Sequence, residues 1–280
     1  MAVTAAAPAT AAPPKSIDDT ILGAGLLGAA ANIIMQLSWP GVGYGVVESK
    51  VDSGNVFKRP LKRNRTTLTY ISVAALGTEA EKETYREWVN KSHRQVRSTE
   101  SSPVKYNAFD PELQLWVAAC LYKGFEDLFE LLGGALDDAT RERLYQTSEA
   151  LGTTLQVRPE MWPASREAFG EYWEQGLEKV HIDDTVRAYL TRLTRLEFMP
   201  TFIRRPLANW NQWVTTGCLP QKFRDEMRFE WSDRDQERFE RFMRRVGAVV
   251  FRLPKPLRQY PFNYFLWDMR VRTRLRLPLL

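Results

Sequence analysis

The chain has 280 residues, is 44% hydrophobic and 26% charged, and carries a formal net charge of +5, which allows a sizeable core and excludes disordered and fibrous classes. So mild a basic excess suits an ordinary surface or an anionic partner and does not imply nucleic acid. Two cysteines, Cys120 and Cys218, form no CxxC pair, and two histidines, His93 and His181, exclude a His-rich zinc site.

The first stretch, residues 1–15, is Ala, Pro and Thr without periodicity and reads as a flexible tail. It lacks the charged start and compact apolar run of a secretory signal, so an intracellular, cytoplasmic protein is expected. Residues 16–280 read as a single all-α domain, since helix signals recur and no segment alternates between turn dipeptides. The uncharged run Thr20 to Leu37 is long enough to raise a membrane span. Its Gly and Ala content, with Asn32 and Gln36, favours a buried helix instead.

Trp39-Pro40-Gly41, with Gly43 and Gly45, predicts a loop. Pro60 opens a helix to about Leu76, with Gly77 suited to a left-handed end, and a third helix covers about Glu79 to Arg97. Asp110-Pro111 caps and starts a strongly apolar helix ending at Gly133-Gly134, the candidate for the central element. Asp137 or Asp138 caps another, Asp183 or Asp184 opens one, and Pro220 opens a short one. Ser232 with Asp235 resembles a capping box ahead of a stripe of Phe239, Phe242, Met243, Val246 and Val250. From Arg252 onward, Phe262, Tyr264, Phe265 and Trp267 lead into Arg270, Arg272, Arg274 and Arg276. This segment is either a last helix docked on the core or a peripheral contact with a membrane surface or acidic partner.

His93 shares a helical face with Val89 and Val96, pointing inward as a core histidine or a ligand. Arg63, Thr67, Ile71 and Ala74 likewise share one face. A guanidinium there needs a carboxylate or a bound anion, unless Arg63 merely joins Lys62 and Arg65 in an exposed basic turn. Glu178 and His181 have the Glu-x-x-His spacing of di-iron bundles, but no second copy exists, which makes such a centre a poor reading. His181 instead suits a helix end near Asp183. Signatures of dinucleotide, P-loop and serine-hydrolase sites are missing.

The runs Gln36-Leu37-Ser38-Trp39-Pro40-Gly41-Val42-Gly43, Arg63-Asn64-Arg65-Thr66-Thr67-Leu68, His93-Arg94-Gln95-Val96 and Tyr106-Asn107-Ala108-Phe109-Asp110-Pro111-Glu112-Leu113, then Leu115-Trp116-Val117, together resemble the catalytic domain shared by rubber oxygenase and mpaB-type oxygenases. The likeness extends to about Val246. It implies an all-α fold around haem b, activation of O2 and oxidative attack on an alkene. On this resemblance His93 matches the axial iron ligand, Arg63 and Thr67 match the Arg-x-x-x-Thr pair near the haem, and Glu48 either falls near the carboxylate assigned as base or is an exposed loop acid. The chain departs from the pattern where Thr66 replaces a lysine and where Ala118 replaces a histidine. The expected protein is a haem-dependent oxidoreductase acting on a small or lipophilic molecule, with a non-catalytic haem-binding or helical interaction protein as the alternative.

Overall fold

Every regular element among residues 13–279, which the computed structural model describes, is helical. In chain order they are α1 (Ile17–Thr20), α2 (Ala29–Leu37), α3 (Pro40–Val47), α4 (Pro60–Leu76), α5 (Glu79–His93), α6 (Pro111–Gly133), α7 (Asp138–Gln146), α8 (Ala150–Thr153), α9 (Arg166–Glu178), α10 (Asp184–Thr194), α11 (Thr201–Cys218), α12 (Gln221–Met227), α13 (Asp233–Val250), α14 (Lys255–Arg258) and α15 (Phe262–Arg274). The sole β-type pairing among these residues is an isolated bridge between Arg97 and Asn107. The tail expected at the N-terminus lies, up to Ala12, outside the described residues.

The predicted central helix is α6. Its apolar face, with Leu115, Ala119, Cys120 and Tyr122, is buried against α2, α8 and α13. Trp116 is fully buried and lies between two further indoles, stacked on Trp39 at 4.7 Å and on Trp173 at 5.2 Å. Its indole N–H donates to the Met35 carbonyl at 3.1 Å, while that of Trp39 donates to the Gly176 carbonyl at 2.9 Å. Each bond satisfies a polar atom that would otherwise be stranded in the core. Together the three rings fix the relative positions of α2, α3, α6 and α9.

Several caps follow the sequence reading. Asp110, Asp137 and Asp183 accept from the backbone N–H of Glu112, Thr140 and Val186, and Ser232 with Asp235 forms a complete capping box. Other boundaries differ. The expected loop at Trp39 to Gly45 is helix α3, because Pro40 is preset for a first helical position and Trp39 enters it with extended backbone. Gly43 there is a packing residue: a Cβ would stand 2.7 Å from the Leu37 carbonyl oxygen and 3.2 Å from Val186. Gly77 is extended (φ −83°, ψ 159°) rather than left-handed, because Thr78 immediately begins the capping box of α5. The helix of His93 ends at His93 instead of Arg97, where the chain turns to pair with residues 106–108.

The run from Thr20 to Leu37 breaks at Leu22 into a 3₁₀ turn and α2, its three glycines in six residues being weak helix formers. No helix among the described residues is long and apolar enough to cross a membrane. Two longer helices escape the sequence reading: α9, capped by Ser165, and α11, whose internal Pro206 disguises it. The last helix divides its aromatics. Phe262, Leu266 and Met269 are buried, and Tyr264 and Trp267 face outward.

The tryptophan stack leaves no room at Gly176, where a Cβ would lie 2.5 Å from the Trp116 ring. Gly176→Ala is expected to destabilise the fold by about 1–3 kcal/mol, as overpacking of a rigid core does. The check is a lower urea midpoint at unchanged slope.

Candidate functional site

A cavity of about 290 Å³ opens between α3, α4, α5 and α6. Most of its wall is aliphatic, with Leu37, Val42, Val46, Ile71, Val89, Val96, Leu113, Val117 and Leu121 contributing. Helix α4 presents one face to it. Arg63, Thr66, Thr67, Tyr70 and Ile71 recur at helical spacing and all line the wall, while Ala74, on the same predicted stripe, is buried outside it. Helix α5 adds Tyr85, Val89, Ser92 and His93. Val96 follows the end of α5 and still reaches the wall because its backbone is held by Ala108, at 2.9 Å.

The structure therefore brings His93, Arg63 and Thr67 together. Among the described residues His93 makes no side-chain hydrogen bond, and its Nδ1 is buried without a partner. Phe109 meets the ring edge-on at a centroid distance of 6.2 Å. Burial, reinforced by the nearby Arg63 charge, pushes the imidazole pKa down to about 4. The ring is consequently neutral near pH 7, with a nitrogen lone pair available.

Arg63 belongs to the cavity and not to an exposed basic turn. No ion pair or side-chain hydrogen bond engages it among the described residues, and burial pulls its pKa below the ordinary arginine value. A cation facing an apolar cavity without a counter-charge is disfavoured, because little there replaces the water it gives up. A ligand anion would remove that cost.

The remaining predicted residues are placed differently. Glu48 lies behind the wall at the end of α3, its carboxylate accepting from Ser102 Oγ at 2.7 Å and from Tyr106 Oη at 2.8 Å. Tyr106 itself lines the cavity, and burial, followed by that bond to Glu48, raises its pKa. Thr66 faces the cavity, but its hydroxyl donates to the Arg63 carbonyl of its own helix at 2.9 Å. Ala118 is buried, packed toward Gly152 rather than set in the wall. His181 is remote: it follows α9 in a loop, largely exposed, with Nδ1 4.0 Å from Glu226.

Sequence reading missed Tyr70, Tyr85, Ser92 and Gln114. Tyr70 was within reach, since it falls on the Arg63 stripe two turns along. Tyr85 donates to the Thr66 carbonyl at 2.7 Å, and Gln114 ties Ala108 to Gln156, contacts that no local pattern encodes.

Residues 20–248 match the family described as "ER-bound oxygenase mpaB/B'/Rubber oxygenase, catalytic domain". The chain belongs to this family. It thus carries the catalytic domain of a family of oxygenases and is an enzyme of that class. Two relatives of unassigned function, from Mycobacterium bovis and Mycobacterium tuberculosis, are each 51% identical over 245 residues, covering 88% of this chain and 96% of theirs. The solved structure of latex clearing protein LCP in its closed state superposes with a TM-score of 0.55 at 15% identity, covering 97% of this chain and 77% of that one. At that identity the likeness speaks for the fold.

The electrostatics of the pair give a direct test. By NMR titration His93 is expected to stay neutral down to a pKa of about 4, and Arg63→Gln should raise that value by removing a repelling charge. Because the folded pKa is depressed, the contribution of His93 to stability is complete above the unfolded value of about 6.5 and is lost as the pH falls toward the folded one.

Proposed function

We propose that this chain is a haem b-dependent oxygenase acting on a small or lipophilic substrate, with an alkene as the group attacked. The observation that carries the reading is His93: a neutral imidazole that, among the described residues, has no hydrogen-bond partner, in an apolar wall beside a cation with no ion pair there. No cluster of three or more His, Cys, Asp or Glu residues that could hold a metal ion exists among the described residues. A bare ion would therefore find one imidazole, whereas haem, which carries its own nitrogen donors, would need only the single donor that His93 offers. Haem, when bound, supplies the iron chemistry that activates O2.

The chain's own residues then divide the remaining work. His93 would hold the iron, its low pKa keeping the lone pair free of a proton at neutral pH. Arg63 would pair with a propionate or with a substrate anion, and the surrounding aliphatic side chains would exclude water and strengthen that pairing. Thr67 presents a hydroxyl to the same space. A proton leaving the cavity through Tyr106 Oη has Glu48 as its acceptor, so Glu48 would act as a base through that phenol. Thr66, with its hydroxyl already committed to the helix backbone, is the observation favouring the second reading, a haem-binding protein without turnover.

Protein reconstituted with haem is expected to show a haem absorption band that survives His181→Ala and collapses in His93→Ala, with added imidazole restoring part of it. Arg63→Ala should retain the iron bond but hold haem about ten- to a hundredfold less tightly, the worth of a hydrogen bond to a charged group. Equal and loose haem uptake by the wild type and His93→Ala would overturn the assignment. Oxygen consumption with an alkene substrate by the loaded protein separates the oxygenase from the non-catalytic reading.

A further inference from the structure

The C-terminal segment beyond the family's catalytic domain has a surface unlike the rest of the molecule. Among the described residues, eight of the thirteen large hydrophobic side chains left exposed fall between Val249 and Leu277, past the matched residues 20–248. Helix α15 turns Phe262, Leu266 and Met269 inward and holds Tyr264 and Trp267 outward at 45% and 56% exposure. Tyr264 packs against Trp267 at 5.8 Å and against Tyr260, itself exposed, at 6.4 Å, so the outward rings form one patch. One helical repeat beyond Trp267 the same face carries Arg274, and the chain continues Leu275, Arg276, Leu277, all exposed.

Charge separates this face from its surroundings. From Val249 to the C-terminus there are seven Lys and Arg residues against a single acid, Asp268. Arg270, Arg272 and Lys255 are neutralised by Glu81, Asp268 and the pair Asp18 and Asp19. Arg252, Arg274 and Arg276 are exposed and enter no ion pair or side-chain hydrogen bond among the described residues.

We propose that the outer face of α15, with Tyr260 before it and the Leu-Arg-Leu segment after it, docks the protein on an anionic lipid surface. Tyrosine and tryptophan, each with an apolar body and a polar tip, suit the boundary between headgroups and acyl chains. Unpaired arginines interleaved with leucines add attraction to acidic headgroups while the apolar side chains enter the boundary. The inner side of α15 packs on α4, the helix that carries Arg63 and Thr67. Docking therefore places one wall of the cavity a single helix layer from the lipid, a route suited to a lipophilic substrate.

The experiment is co-sedimentation of the full chain with phosphatidylcholine vesicles, with and without phosphatidylglycerol, at low and high salt; it needs no haem and stands apart from the oxygenase reading. Binding should require phosphatidylglycerol and weaken as salt rises. The double variant Arg274→Gln, Arg276→Gln should bind about thirtyfold less tightly, and Tyr264→Glu with Trp267→Glu should abolish binding, both at unchanged melting temperature because these side chains are exposed. Equal binding to neutral vesicles, or no binding to either, would overturn the proposal. So would a dimer in analytical ultracentrifugation that the Tyr264 and Trp267 variants dissociate, since that would make the face a contact between copies of this chain.

Discussion

Three stacked indoles hold the molecule's geometry. Trp116, central in α6, is clasped between Trp39 and Trp173, and two indole N–H groups reach backbone carbonyls on α2 and α9. Such contacts are worth about 0.5–1.5 kcal/mol per ring pair beyond the area they bury. Their greater consequence is positional. They set α3 against α6, and these helices supply parts of the cavity wall through Val42, Val46, Leu113, Val117 and Leu121. A shift in the stack would be felt at once in the cavity, because packed interiors transmit strain instead of absorbing it.

Inside that wall the chain departs from the ordinary rules of burial. Enclosed charges are normally paired, and enclosed imidazoles normally hydrogen-bonded. Here, among the described residues, Arg63 has no counter-ion and His93 no hydrogen-bond partner, and the two lie close enough for the arginine to oppose protonation of the histidine. An apolar setting magnifies both effects, since it neither screens the cation nor solvates an imidazolium. On the proposed reading, a ligand bearing negative charge and an electron-pair acceptor completes this arrangement.

The family's pattern is kept at some positions and redirected at others. The stripe Arg63, Thr67 and Ile71 remains on the wall, while the residue before Thr67 is a second threonine whose hydroxyl folds back on its own helix. Position 118 is a small side chain packed into the protein. Glu48 communicates with the cavity by way of the Tyr106 phenol rather than by facing it. On the proposed reading, acid–base character at this site rests on Tyr106 and the Glu48 carboxylate it donates to, with no lysine at position 66 and no histidine at position 118.

Local chemistry made much of this legible in the sequence. Caps at Asp110, Asp137, Asp183 and Ser232 are short-range devices whose side chains bond to backbone a few residues away, so spacing alone discloses them. The inward stripe of α4 and the inward His93 are likewise matters of helical period. What tertiary structure alone decided has a different physical origin. Gly43 reads as a helix breaker until Leu37 and Val186 are seen to press against it, and Tyr264 and Trp267 read like Phe262 until the docking of α15 on α4 sorts inner from outer. The absence of a partner for Arg63 or His93 cannot be written in any local pattern either, since it depends on every element that surrounds the cavity. Propensity and period act over one or two turns. Which face meets core, cavity or solvent is settled by contacts between residues far apart in the chain.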